Sequence, residues 1–233
     1  MFHQRVSLIL TTNGRESLTN AFKSCADQIY DLVEILVIDN GKEPAQKMLS
    51  DIEFSDKQRQ RFLQTTFIRI PECHNPGLLR NVGTAFARGE YIAYCPDDGF
   101  FDPIFLDMML DHSRQTDIAD DLIMCRTTEV EGNEQHTVGE PLDSMLRGLL
   151  KRNLYTKRVH TGSFVVKTVY AQSKPWPIKT LDAHLTSSFI GNLLSQGLKS
   201  WFVDALLYSH IENDEMFSKI SQRENDRILA TQT

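Results

Sequence analysis

The chain has little cysteine, no long apolar run and no excess of positive charge. Its 233 residues include four cysteines, and Cys25, Cys73, Cys95 and Cys125 lie far apart with no CxxC pair. That spacing argues against a structural zinc site and against a disulfide framework, and it fits a reducing compartment. Cys25 and Cys95 fall inside apolar patterns and read as small core residues. The longest apolar runs, such as Val33 to Ile38, are far shorter than the roughly 20 residues that cross a bilayer. A formal net charge of -6 provides no general basic field for nucleic acid. No internal repeat, low-complexity tract or clean linker is visible. Met1 to Arg5 leads straight into an apolar strand, so no signal peptide is expected. These absences point to a cytoplasmic protein, with peripheral contact at a membrane surface as the most that is expected of it there.

What is present is a globular composition, 41% hydrophobic and 24% charged, with enough chain for a sizeable core. The most telling stretch is Tyr91-Ile92-Ala93-Tyr94-Cys95-Pro96-Asp97-Asp98-Gly99. An aromatic and β-preferring run stops at two adjacent carboxylates, which reads as a buried strand ending in Asp97 and Asp98. In open α/β sheets the ligand crevice lies beyond that edge. Paired carboxylates there suit a hard divalent cation shared with substrate phosphates. The plainer reading, a solvated Asp-Asp-Gly turn, stands beside it.

The remainder of the first half alternates strand and helix. Val6 to Leu10 is a strand, followed by the polar turn Thr11-Thr12-Asn13-Gly14-Arg15 and by Leu18, Ala21, Phe22, Cys25 and Ile29 at helical spacing. Glu34 to Asp39 is a second strand, closed by Asn40-Gly41. Pro44 to Leu63 suits a surface helix, Phe67 to Ile70 a third strand, and Gly77 to Arg88 a helix stopped by Gly89. This alternation predicts a mostly parallel sheet flanked by helices. Asp39 and Asp97-Asp98 should then lie on one edge.

The second half is less regular. Leu106 to His112 and Leu185 to Leu194 read as helices. Asp121 to Thr128, Phe164 to Val166 and Trp201 to Val203 read as strands, with Leu206 to Tyr208 a continuation of the last. Glu129 to Pro141 reads as a polar insert suited to a mobile lid. Ser144 to Tyr155 looks amphipathic, and the basic residues from Arg147 to Arg158 suit a solvated face, an anionic acceptor or a membrane surface. The tail after Glu212 reads as loosely held.

Taken in order, these motifs resemble the family-2 glycosyltransferases of the GT-A fold. Val6-Ser-Leu-Ile-Leu-Thr-Thr-Asn-Gly-Arg15 is similar to that family's first strand and loop. Glu34-Ile-Leu-Val-Ile-Asp-Asn-Gly-Lys42 is similar to its second. Leu79-Arg-Asn-Val-Gly83, Ala87-Arg-Gly-Glu-Tyr-Ile92 and Asp97-Asp98 with Pro103 match its central segment. The agreement covers residues 5–103 and is thin beyond them. The resemblance implies an α/β GT-A domain over 1–233, with a nucleotide-sugar-binding half (1–103) and an acceptor half (104–233). It implies a metal-dependent, inverting sugar transfer from a nucleotide-diphosphate donor, most simply a UDP-sugar, to a saccharide, lipid-linked or other hydroxyl acceptor.

The resemblance also implies the site. Asp39 would accept a hydrogen bond from the base, for which the imide N–H of uracil is suited. Thr11, Thr12, Arg15 and Asn40 would line the donor pocket, and Arg80 would face the diphosphate. Asp98 would ligate Mn²⁺ or Mg²⁺, with Asp97 helping toward metal or ribose and His210, in Tyr208-Ser209-His210, as a further ligand. Asp182 would be the general base toward the acceptor, or the cap of its helix. The chain departs from the family pattern where Pro96 stands in the aspartate cluster, Asn13 replaces the usual loop aromatic, and Leu181 precedes Asp182. Two rivals are a nucleotidyltransferase, disfavoured by the absence of a Gly-rich basic loop after the first strand, and an inactive sugar-nucleotide-binding module.

Overall fold

The computed structural model describes residues 4–116, 119–131, 134–139, 159–178 and 182–212. Its frame is one nine-stranded sheet. In chain order the strands are β1 (Val6–Thr12), β2 (Val33–Asp39), β3 (Thr66–Arg69), β4 (Tyr91–Pro96), β5 (Gly99–Phe101), β6 (Leu122–Glu131), β7 (Glu134–Val138), β8 (Phe164–Lys167) and β9 (Ser200–Glu212). The helices are α1 (Leu18–Ala26), α2 (Ala45–Ser50), α3 (Asp56–Leu63), α4 (Pro76–Phe86), α5 (Phe105–Thr116), α6 (Thr168–Ser173) and α7 (Asp182–Leu194). The spatial order is β3-β2-β1-β4-β8-β6-β9-β5, with β7 on β6. The pairs β3-β2, β2-β1, β1-β4 and β6-β9 are parallel, whereas β8, β5 and β7 run antiparallel to their neighbours. The expected mostly parallel sheet with flanking helices is therefore what forms.

The strand β1 is buried along its whole length, because both faces of the sheet are covered. Val6, Leu8 and Leu10 belong to one apolar cluster with Phe22 and Cys25 of α1 and Phe105 and Met109 of α5. Ile9 belongs to the other, with Leu79 of α4, Trp176, and Phe189 of α7. The alternation follows directly from the two-residue period of a strand. The second cluster is densely aromatic: Trp176 stacks on Phe189 with centroids 4.0 Å apart and meets Tyr94 edge-on at 4.9 Å. Each such buried ring contributes roughly 1.5–3 kcal/mol through apolar burial. Asn75-Pro76 starts α4 cleanly, the Asn75 side chain accepting from the Leu78 N–H and Pro76 occupying the first turn, where no N–H is missed.

Several sequence expectations change. Pro44 to Leu63 forms two short helices rather than one, because a Ser55–Gln58 capping box restarts the chain at α3. The expected polar lid at Glu129 to Pro141 is instead the end of β6 and the paired strand β7 wherever it is described. Trp201 to Tyr208 is a single strand whose pairing with β6 shifts register near Arg126. The amphipathic segment at 144–158 and the tail from 213 lie outside the described residues.

At the carboxyl ends of the first strands, two loops meet at van der Waals distance. A Cβ added to Gly41 would lie 2.9 Å from the Asn13 carbonyl oxygen and 3.0 Å from the Gly14 nitrogen, both backbone atoms that cannot swing aside. The loop after β2 is thus seated on the loop after β1, and only the absence of a side chain permits it. Gly41→Ala is expected to force these loops apart and to destabilise the protein by about 1–3 kcal/mol, read as a lower urea midpoint with an unchanged slope.

Candidate active site

Register delivers the acidic residues to one end. Thr12 on β1 pairs with Asp39 on β2, and Thr11 pairs with Pro96 on β4. The Asp97 N–H then donates to the Thr11 carbonyl at 3.1 Å. Asp39, Thr12 and Asp97 therefore share the carboxyl rim of three adjacent parallel strands, as the sequence suggested.

The three carboxylates are used differently. Asp39 is buried, and its two oxygens accept from the Gly41 N–H at 2.7 Å and the Ala45 N–H at 2.8 Å. It thus closes the loop after β2 and tethers the start of α2, and each oxygen keeps a further lone pair. Asp97 is also buried; its Oδ2 accepts from Thr12 Oγ1 at 2.8 Å and from the Asn13 N–H at 3.1 Å. Thr12 Oγ1 in turn accepts from the Gly14 N–H at 2.9 Å. Asp98 stands further out: Arg15 Nη1 donates to its Oδ2 at 2.6 Å and lies 3.5 Å from Asp97 Oδ1.

The short strand β5 brings the last member. It pairs antiparallel with β9, matching Gly99 with His210, and the Ile211 N–H donates to the Asp98 carbonyl at 2.9 Å. His210 Nδ1 consequently faces Asp98 Oδ1 at 3.5 Å. That contact is too long for a well-formed hydrogen bond, and both atoms are buried without a hydrogen-bond partner. The hydroxyl of Tyr208, two residues earlier on the same strand and packed against Gly99 and Gly162, is likewise buried and unpartnered.

These surroundings split the adjacent carboxyls. Burial raises Asp97 above the ordinary carboxylate range, and Arg15 and Thr12 only partly offset it. Burial acts in the same sense on Asp98, but the His210 imidazole and the Arg15 guanidinium outweigh it and bring Asp98 down to about 2. Asp98 is therefore held as an anion beside an imidazole.

The donor set suits a divalent cation. An oxygen and an imidazole nitrogen 3.5 Å apart, neither committed to another partner, span the distance between neighbouring ligands about 2.0–2.2 Å from one ion. Among the described residues no group of three or more His, Cys, Asp or Glu side chains forms a complete cage. A cation here would take its remaining ligands from phosphate oxygens and water, as Mg²⁺-type sites commonly do.

The other expected residues are placed as follows. Asn40 turns away to donate to the Cys73 carbonyl at 2.5 Å. Arg80 is buried on α4 with its guanidinium 4.7 Å from the centroid of Trp176, and its charge acts on the hydroxyls of Tyr94 and Tyr208. Asp182 is the first residue of α7, so its backbone is described and its side chain is not. Sequence reasoning missed Glu129 and His160, whose side chains meet at 2.5 Å next to His210. Alternation along β6 places Glu129 on the face of Ile123 and Cys125, which was a signal for Glu129; His160 had none.

The sequence profile described as Glycosyl transferase family 2 matches residues 7–171. The putative glycosyltransferase EpsH of Bacillus subtilis is 28% identical over 142 residues, covering 60% of this chain and 37% of EpsH. An uncharacterized glycosyltransferase of Haemophilus influenzae is 28% identical over 97 residues, covering 41% of this chain and 36% of its own. The chain thus spans little more than a third of these relatives. Among solved structures, S. aureus TarS 1-349 in complex with UDP-GlcNAc superposes with a TM-score of 0.69 at 17% identity, over 90% of this chain and 59% of TarS 1-349. The mannosyltransferase PcManGT from Pyrobaculum calidifontis, in complex with GDP-Man and Mn²⁺, gives 0.63 at 14% identity, over 91% of this chain and 57% of its own. The expected GT-A fold is thereby found, and with the family profile spanning more than half of its length, the chain belongs to glycosyl transferase family 2.

Proposed function

We propose that this protein is a metal-dependent, inverting glycosyltransferase that moves a sugar from a nucleotide-diphosphate donor, a UDP-sugar, to a hydroxyl of a saccharide or lipid-linked acceptor. The observation that carries the reading is the pair of unpartnered buried atoms, Asp98 Oδ1 and His210 Nδ1, facing each other 3.5 Å apart at the strand edge. Residues 1–103 form the donor half and residues 104–233 the acceptor half.

In this reading Asp98 and His210 hold Mn²⁺ or Mg²⁺, and such a cation, when bound, neutralises charge growing on the departing diphosphate. The chain's own side chains do the rest. Asp39, already fixed by two backbone N–H groups, accepts from the uracil imide with its remaining lone pairs. Thr11 and Thr12, at the end of β1, line the donor pocket, while Asn40 is held on the Cys73 carbonyl. Asp97 anchors the loop after β1 and leaves its Oδ1 toward ribose or metal. Arg15 is the counter-ion of the carboxylate pair, and its guanidinium would be suited to a donor diphosphate beside a bound cation. Arg80 adds a second fixed positive charge from the helix side. Asp182, opening α7, takes the proton of the acceptor hydroxyl as the sugar–phosphate bond breaks. The free cysteines suit a reducing, cytoplasmic setting. Among the described residues no helix is long and apolar enough to cross a membrane; the membrane contact in this reading is peripheral.

The direct test is a thermal-shift screen of nucleotide sugars with and without Mn²⁺. A donor that binds the native state raises the melting temperature. A UDP-sugar shift that requires Mn²⁺ is expected, and a shift from no nucleotide sugar at all would overturn the reading. Asp98→Ala is expected to abolish the Mn²⁺-dependent part of donor affinity in calorimetry. Asp182→Asn is expected to keep donor affinity and lose turnover by about 10²–10⁴-fold; full turnover would reduce Asp182 to a helix cap. The depressed Asp98 also predicts a pH signature. A carboxyl whose folded pKa lies below its unfolded value stabilises the fold above the ordinary carboxylate range and loses that contribution as pH falls. The stability difference between the wild type and Asp98→Asn should change as pH falls from about 4 to about 2 in acid unfolding.

A further inference from the structure

Next to the proposed cation ligands lies a carboxylate–imidazole pair for which the reading above has no use. Glu129 and His160 meet through Oε1 and Nε2 at 2.5 Å, and their side chains are only 9% and 13% exposed. Glu129 stands opposite His210 in the parallel β6–β9 register. The His160 ring packs against the His210 ring with centroids 4.6 Å apart and planes inclined by 38°. His160 begins the short segment that enters β8. The next residue, Thr161, hydrogen-bonds Thr186 of α7 at 2.9 Å through the two hydroxyls, so the segment is tied to the helix that Asp182 opens. A buried carboxylate is costly unless it is bonded, and here it bonds an imidazole whose face bears on another.

We propose that Glu129 and His160 are a positioning pair for His210. Glu129 fixes the His160 ring through its hydrogen bond, and the His160 ring blocks rotation of the His210 imidazole, which keeps Nδ1 turned toward Asp98. The pair acts through His210 and need not touch the donor. The orientation of an imidazole ligand is commonly set by groups that do not themselves bind the ion, and here the contact is ring packing. The proposal rests on Asp98 and His210 being cation ligands.

The test measures cation binding rather than turnover. His160→Gln retains an N–H for Glu129 and removes the ring from His210. Its metal-free melting temperature and its affinity for UDP without metal are expected to match the wild type. Its affinity for Mn²⁺ in the presence of UDP is expected to fall by about 10-fold or more. Pulsed EPR of the Mn²⁺–UDP complex reads the mechanism: the wild type should show the ¹⁴N modulation of one directly bound imidazole, absent in His210→Ala and weakened in His160→Gln. If the wild-type signal is present and survives undiminished in His160→Gln, with Mn²⁺ affinity unchanged, this inference fails and the cation reading stands. If the wild type shows no imidazole signal and Asp98→Asn binds Mn²⁺ as well as the wild type, the cation reading fails and takes this inference with it. Should His160→Gln lower the metal-free melting temperature, the Glu129 variants decide: loss of the signal in Glu129→Ala with recovery in Glu129→Gln supports the pair, and full signal in Glu129→Ala overturns it.

Discussion

The arrangement at this site depends on the pairing of three residues, Gly99 to Phe101, with the far end of a strand more than a hundred positions later. That antiparallel contact sets His210 against Asp98. Without it the acidic rim would have carboxylates and an arginine but no imidazole. A three-residue strand is too short to be stable alone. It is held because Phe101 stacks on Phe105 at 4.2 Å and packs against Tyr208, and because the Phe101 N–H donates to Ser24 of α1 at 3.1 Å. The chemistry at the rim is therefore supported by apolar packing one layer beneath it.

Electrostatics at the rim follow from small differences in placement. Asp97 and Asp98 are neighbours in sequence, yet they are pushed in opposite directions. Asp97 points into the protein, where hydroxyl and backbone donors satisfy one oxygen and burial dominates. Asp98 points along the edge, between a guanidinium and an imidazole, where positive charge dominates. One carboxylate serves to join β4 to the loop after β1, and the other is held as an anion at the edge. Two adjacent carboxyls with different tasks are a common outcome of environments that separate their proton affinities.

Both faces of the sheet are needed for this. The α1–α5 layer and the α4–Trp176–α7 layer clamp β1 and β4 between them, which leaves the strand ends little freedom. Loops seated on one another without an intervening side chain, as Gly41 is on Asn13, leave the rim little room to shift. Such rigidity lets Thr12 serve at once as donor to Asp97 and acceptor from Gly14.

Much of this was legible in the chain itself. Apolar runs ending in Asp39 and in Asp97-Asp98 announced parallel strands with acidic tips, because a strand buried on both faces must be apolar throughout and its first polar residue marks its exit. The helix expected from Gly77 to Arg88 with its stop at Gly89 forms as Pro76–Phe86, and the burial of Cys25 and Cys95 was announced by their apolar neighbours. What local pattern could not show were the contacts made by distant partners. The division of Pro44 to Leu63 turned on a cap, β7 replaced an expected lid because β6 offered a free edge, and Asn40 was drawn to a carbonyl rather than left to the pocket. Glu129, His160 and His210 lie on three separate stretches and meet only when β6, β8 and β9 close side by side. Periodicity reports which face of an element is buried; which other element covers that face is decided by long-range packing, and the imidazole end of this site was built there.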